Sequence, residues 1–258
     1  MQLVLSLGRM HRQSWAKSRK SGRLNSINPS DYAQIVFFTG AGMSAESGIP
    51  TYRGEGGIWE EYNWEEVACK EAFQNDPKKV LEFHEIRREK VFTSTPHAGH
   101  KMISNLQKKH NNVVIITQNI DGMHQLSGNT NVIELHGSIW RLRCLCDRVV
   151  INDRGRKYKC MKCDCGAWLR PDIVWFGDHL DSSIVEQTFE TSGEGNLFIS
   201  IGTSGGVWPA AGIPKFSREN GAYMIEINLE DTVSTPLYDE KIYKPSSTAL
   251  TELFSENY

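Results

Sequence analysis

The chain has 258 residues, 39% of them apolar and 23% charged, and a formal net charge of -2. This is enough apolar material for one large domain, or a large and a small one, with a substantial core. The near-neutral balance argues against a nucleic-acid or membrane-surface role for the chain as a whole, and no apolar run reaches the roughly 20 residues of a membrane helix.

The charge is unevenly spread. Residues 1–30 carry Arg9, Arg12, Lys17, Arg19, Lys20 and Arg23 and no acidic residue. This leader reads as a disordered basic tail on a cytoplasmic protein, with a mitochondrial transit peptide as the alternative. Residues 31–258 are then the folded part.

The first apolar run, Ile35-Val36-Phe37-Phe38-Thr39, has the β-branched and aromatic content of a buried strand. It leads into Gly40-Ala41-Gly42-Met43-Ser44, a turn that lets backbone amides approach a phosphate. The spacing is not GxGxxG, because the next glycine, Gly48, stands six residues after Gly42. Ser44, Glu46, Pro50 and Arg53 add polar groups to the same loop.

From Ile58 to Lys90 the sequence reads as helical. Asp76-Pro77 marks a start there, with aspartate as the cap and proline at the first helical position. Thr95-Pro96-His97 opens another helix, with Met102, Ile103 and Leu106 on one face. Further strands follow at Val113–Thr117, Val132–Leu135, Leu197–Ile201 and Ala222–Ile227. The five runs end in Gly, Ser, Thr, Asn or His. Apolar strands alternating with helices describe a parallel, doubly wound α/β sheet, and such sheets bind ligands at the carboxyl ends of their strands.

Between the third and fourth strands, five of the six cysteines fall within residues 144–165. Without an export signal, such a cluster reads as metal ligands rather than disulfides. The expected zinc set is Cys144, Cys146, Cys160 and Cys165, with Cys163 as the alternate ligand. The spacing does not decide between Cys163 and Cys165. Four thiolates close the coordination sphere, so the zinc would be structural.

Gly40 to Pro50, Thr117-Gln118-Asn119-Ile120-Asp121, Leu135-His136-Gly137, Leu169-Arg170-Pro171, Val174-Trp175-Phe176-Gly177 and Gly202-Thr203-Ser204 resemble, in this order, the motifs of the sirtuins. These are NAD-dependent protein-lysine deacylases, and the likeness is to bacterial members with deacetylase and desuccinylase activity. It runs from about residue 34 to the C-terminus. The resemblance implies a Rossmann-like sheet with a small inserted domain, made of a helical module at about 52–95 and the zinc module at 137–175.

It further implies that Gly40, Ala41, Gly42, Ser44, Tyr52 and Arg53 meet NAD from the first loop. Gln118, Asn119, Ile120 and Asp121 would hold its nicotinamide end, with Asn119 and Asp121 also counted as catalytic. Gly202, Thr203 and Ser204 would meet phosphates or ribose, Asn228 the adenine ribose and Ser246 the adenine. His136 would be the general base. The acylated lysine peptide would lie against Val174, Trp175, Phe176, Gly177 and Val207, with Ala68, His84 and Arg87 around the acyl group. In the bacterial subgroup a Tyr-x-x-Arg pair grips a succinyl carboxylate, and the matching residues here are His84-Glu85-Ile86-Arg87. Arg87 keeps a planar fork for a carboxylate. His84 is expected to donate a hydrogen bond and to gain charge towards pH 6.

The implied activity is removal of acetyl, succinyl and similar groups from protein lysines, giving nicotinamide and O-acyl-ADP-ribose. Mono-ADP-ribosyl transfer from the same NAD site is the alternative. A monomer with no nucleic-acid or membrane partner is expected.

Overall fold

The apolar run at residues 35–39 can form a strand only if both faces are covered, because consecutive side chains point to opposite sides of a sheet. In the computed structural model, which describes residues 26–144, 146 and 150–255, all five residues of β1 (Ile35–Thr39) are buried. The expected basic leader lies, as far as residue 25, outside the described residues, but its last part is folded rather than disordered: Ile27 is buried in the core and its amide donates to the Leu253 carbonyl at 2.7 Å. The other strands are β2 (Val113–Thr117), β3 (Val132–Glu134), β4 (Gly137–Cys144), β5 (Val150–Asn152), β6 (Leu169–Ile173), β7 (Leu197–Ile201), β8 (Tyr223–Asn228) and β9 (Glu240–Tyr243). Six of them form a parallel sheet in the order β3-β2-β1-β7-β8-β9. Helices cover both faces, as expected for a doubly wound sheet. The sixth strand was not anticipated: in Glu240-Lys241-Ile242-Tyr243 only Ile242 is buried, so an edge strand leaves almost no apolar pattern.

The principal helices are α1 (Pro77–Phe92), α2 (Ala98–Lys109), α3 (Ser182–Glu194), α4 (Ile213–Glu219) and α5 (Ser246–Phe254). On one face of the sheet, Ile35, Phe37, Ile115 and Ile199 pack with Ile103 and Leu106 of α2 and Leu250 and Leu253 of α5. On the other, Val36, Phe38, Val114 and Phe198 pack with Ile213 of α4, and Ile184 and Phe189 of α3 close the edge. The alternation of odd and even residues between the two cores is the strand period itself.

The stretch from Ile58 to Lys90 is broken into four helices, at Ile58–Glu61, Trp64–Val67, Lys70–Asn75 and α1. The Asp76-Pro77 start is as expected: Pro77 opens α1 and the Asp76 carboxylate accepts from the Lys79 amide at 3.0 Å. β4, β5 and β6 make a separate antiparallel sheet of three strands. These helices and this small sheet share one core, in which Val80, Leu81 and Phe83 of α1 meet Leu142, Leu169 and Trp175.

One buried cation ties the two parts together. Arg88 of α1 is fully buried and donates to the carbonyls of Gly155 and Ile139, both at 3.0 Å, and to that of Asp153. Its guanidinium lies 4.3 Å from the Tyr158 ring centre and 5.2 Å from that of Trp140. The Asp153 carboxylate, 3.5 Å away, balances the charge. Asp153→Ala leaves a buried guanidinium without its counter-ion and should lower stability by about 3–5 kcal/mol, read as a shift of the urea unfolding midpoint at unchanged slope.

Candidate active site

The sheet order reverses beside β1, since β2 lies on one side and β7 on the other, and the crevice at such a point is where parallel sheets bind ligands. Two loops fill its floor. The Gly40 amide donates to the Ile201 carbonyl at 2.9 Å and the Gly42 amide to the Gly202 carbonyl at 2.8 Å. A Cβ on Gly40 would come within 2.7 Å of the Gly202 oxygen, and one on Gly42 within 2.7 Å of the Gly202 Cα. Only glycine allows these backbones to touch. Above them opens a cavity of about 900 Å3.

The cavity wall includes Gly40, Ala41, Gly42, Tyr52, Arg53, Gln118, Asn119, Ile120, Gly202, Thr203, Ser204, Asn228 and Ser246 among the expected cofactor residues. Ser44 and Asp121 instead line a small adjoining recess shared with Ala41, Asn119 and Arg87. The Asn119 amide donates to the Gly40 carbonyl at 2.9 Å and to Ser44 Oγ at 3.3 Å, which fixes which way that side chain faces. Asp121 is buried, and burial pushes its carboxyl pKa up. Its carboxylate accepts from the Met123 amide at 2.9 Å, a bond that favours the ionised form. Gln118 Nε2 donates to Thr203 Oγ1 at 3.0 Å, and Asn228 Nδ2 to the Thr203 carbonyl at 3.0 Å, so the strand-end loops brace one another. Ser246 reaches the wall, yet its hydroxyl donates to Glu46 at 2.7 Å. Glu46 also accepts the Ser247 amide at 3.0 Å, joining the first loop to the start of α5.

His136 follows β3 and faces the same cavity. Its Nδ1–H donates to the Gln118 carbonyl at 2.9 Å, which leaves Nε2 as the unprotonated nitrogen. Burial lowers the imidazole pKa below its ordinary value, and the bond to Gln118 works the other way without reversing it. The ring is therefore neutral and basic near pH 7.

The segment Val174–Gly177 is pinned on two sides. The Val174 amide donates to the His136 carbonyl at 3.1 Å and the Phe176 amide to that of Ala68 at 3.1 Å. Arg170 stacks on the Trp175 ring at 3.6 Å and donates to Asp178 at 2.5 Å, which in turn accepts the Trp175 amide at 3.2 Å. Ala68, His84, Arg87, Val174, Trp175, Phe176, Gly177 and Val207 all line the cavity, as expected of a substrate wall. Trp59, Phe83, Ile173 and the loop Leu229–Val233 line it too and were not singled out. The loop follows β8 directly, so the strand-end rule could have found it; Trp59 and Phe83 read as ordinary core aromatics.

Two expectations are corrected. His84 does not offer a free donor or a charge: Nδ1–H donates to the Val80 carbonyl at 2.7 Å, and Nε2 accepts from Trp175 Nε1 at 3.3 Å. Burial pushes its pKa down to about 4. Arg87 is then the cation of this wall, with its guanidinium 5.2 Å from the Tyr52 ring centre. The second correction concerns the cysteines. The sulfurs of Cys144, Cys146, Cys163 and Cys165 lie within 4.8 Å of one another. Cys160 is not among them; its thiol is turned to the Lys162 carbonyl at 2.8 Å. The Gly166 amide bonds back to the Cys163 carbonyl at 2.8 Å, a tight turn that brings Cys163 and Cys165 to the same side. Tetrahedral zinc with sulfurs at about 2.3 Å needs them roughly 3.8 Å apart; Cys165 lies 3.5 Å from Cys144 and 3.8 Å from Cys146, while Cys144 and Cys146 are closer, at 2.9 Å.

Zinc content separates the cysteines: Cys163→Ala should lose the metal, and Cys160→Ala should retain one equivalent. With His84 neutral above about pH 4, its ring carbon and nitrogen NMR shifts should stay flat from about pH 6 to 8, because no imidazolium forms in that window. A His84 titration centred in that window would contradict this assignment.

The model of the Sir2 family matches residues 40–209. An "NAD-dependent protein deacylase" of Aquifex aeolicus is 42% identical over 229 residues, 85% of this chain and 93% of that protein. One of Caldanaerobacter subterraneus is 46% identical over 76% of this chain and 83% of its own length. Among solved structures, a Sir2 homologue in complex with NAD has a TM-score of 0.81 at 35% identity, covering 91% of this chain and 95% of that one. A Sir2 homologue mutant in complex with ADP-ribose has a TM-score of 0.82 at 36% identity, covering 86% and 90%. With a matching family model over residues 40–209 and relatives of this identity along most of its length, the chain belongs to the Sir2 family.

Proposed function

We propose that this protein is an NAD-dependent protein-lysine deacylase that removes acetyl groups and, through Arg87, succinyl groups. The observation that carries the reading is the opening of the His136 imidazole, the peptide wall Val174–Gly177 and the double glycine floor into one cavity. When bound, NAD supplies an electrophilic ribose carbon that takes the acyl oxygen as nicotinamide leaves. The glycine floor suits its phosphates by leaving no side chain above the backbone at Gly40, Gly42 and Gly202, whose own amides are spent on the carbonyls of Ile201, Gly202 and Ile227, and Asn119 and Asp121 suit the nicotinamide half. His136, with Nε2 unprotonated, is the base that takes a proton from a ribose hydroxyl. The peptide would lie along Val174–Gly177 as an added strand, held through main-chain groups, while the acyl wall reads its side chain. Zinc, in the set Cys144, Cys146, Cys163 and Cys165, would hold the small sheet without taking part in the chemistry.

The relatives' printed names support deacylation over the alternative, transfer of ADP-ribose to a side chain. Mass spectrometry of acetylated and succinylated peptides incubated with NAD distinguishes them, since one removes the acyl group and the other adds ADP-ribose. His136→Ala should cost about 10²–10⁴-fold in kcat. The acid limb of kcat/KM should fall below the usual histidine range near 6.5, because a depressed pKa keeps the base form present at lower pH. Arg87→Met should depress desuccinylation about tenfold or more while acetyl turnover changes little, as expected for loss of a charge-assisted bond. Equal losses on both substrates would remove Arg87 from the acyl site.

A further inference from the structure

A buried carboxylate on the strand next to the β9 edge has no role in the chemistry above. Glu226 of β8 is 3% exposed. Its partners are hydroxyls rather than a cation: Thr232 Oγ1 donates to one oxygen at 2.6 Å and Thr235 Oγ1 to the other at 2.5 Å. Thr235 Oγ1 in turn accepts the Thr232 amide at 2.6 Å, and Thr232 Oγ1 accepts that of Ser234 at 3.2 Å. The carboxylate therefore closes residues 232–235 into a knot. A carboxylate suits this place because it accepts on both oxygens, whereas an amide has only one acceptor oxygen.

The knot bears on the cleft in two ways. Leu229–Val233 form part of the cavity wall just beyond Asn228. Ser234 also abuts the neighbouring strand-end loop, since a Cβ on Gly205 would come within 2.3 Å of Ser234 Oγ. Gly205, at φ +69°, closely follows Thr203 and Ser204, which line the cavity. One buried carboxylate thus fixes two cavity loops against each other. This is the end of the cleft away from His136: β8 is four strands from β3 in the sheet, a separation of about 19 Å.

We infer that Glu226 is a positioning residue for NAD, holding the loops that receive its adenosine half. The inference rests on the deacylase reading for the identity of the ligand and for which half lies here. It makes no claim that Glu226 touches NAD. Its effect should fall on cofactor affinity and leave the peptide wall, built on Val174–Gly177, unchanged.

The test combines calorimetric titration of the free protein with NAD and with ADP-ribose, steady-state kinetics and thermal unfolding. The variants are Glu226→Ala, Glu226→Gln and Thr235→Val. Glu226→Ala should weaken both ligands about tenfold or more, the scale of losing bonds to a charged group. Glu226→Gln should weaken them about threefold, because its single acceptor oxygen keeps one of the two hydroxyls. Thr235→Val should fall between them, with KM for the acylated peptide within about twofold of wild type throughout. Phe254→Leu, in the core on one face of the sheet, controls for stability: it should lower the unfolding temperature without changing NAD affinity.

NAD affinity unchanged in Glu226→Ala, or peptide KM rising in step with NAD KM, would overturn the inference. If Glu226→Ala does not fold, the order of the other two variants decides, and wild-type affinity in both refutes it. Loss of the proposed deacylation with this order of NAD affinities intact would refute the activity and leave the inference standing. A wild-type protein that binds neither NAD nor ADP-ribose overturns the inference.

Discussion

The cleft depends on backbone touching backbone where the sheet reverses. At Gly40, Gly42 and Gly202 there is no room for a Cβ, and the amides of the first two are spent on the loop after β7. This contact joins β1 to β7 beyond the sheet's own ladder and sets the level of the cavity floor. Everything above the floor is hung from neighbouring strand ends. Asn119 is oriented by the Gly40 carbonyl, Gln118 by Thr203, and His136 by the Gln118 carbonyl. The His136 imidazole is therefore two hydrogen bonds from Thr203, in the loop after β7, although about 70 residues separate them in sequence.

The second organising feature is the core shared between the helices before α2 and the small antiparallel sheet. The two parts bury their apolar side chains in one cluster, and a buried Arg88 makes their contact specific by demanding carbonyl acceptors and a counter-ion. The same packing builds the substrate wall. Trp175 is held from below by Arg170 and from the side by His84, so the residue at the family's tyrosine position is consumed in bracing an aromatic. The cysteine cluster lies at the end of β4 away from His136. Arg87 and Arg88, adjacent in sequence, take opposite tasks because neighbouring positions on a helix face about 100° apart.

Much of this was legible from residue order alone. Parallel strands buried on both faces must be long apolar runs, and a binding crevice at their ends must be polar or glycine-rich, so the five runs and their terminal residues reveal both sheet and site. β9 escaped because an edge strand with one buried side chain has no period to detect. Of the breaks between Ile58 and Phe92, the one at Cys69 escaped because it depends on pairing with Phe176, whereas Asn63 caps its helix locally by accepting the Glu65 amide, a signal the residues do carry. The loop after β8 escaped because its cavity-facing residues are of no distinctive type.

The sequence by itself determined the strand runs, the glycine floor and the existence of a thiol cluster, since each rests on a residue type that its local role requires, while His136 was picked out by its likeness to the sirtuin motifs. Tertiary structure alone decided which four cysteines converge and what His84 and Glu226 bond to. Those are questions of direction. Cys160 and Cys163 are equally good ligands in a list of residues, and a histidine is a donor, an acceptor or a charge according to what surrounds it. Only the folded chain supplies those surroundings, through the tight turn before Gly166, the Val80 carbonyl beside the His84 ring and the two threonine hydroxyls over Glu226.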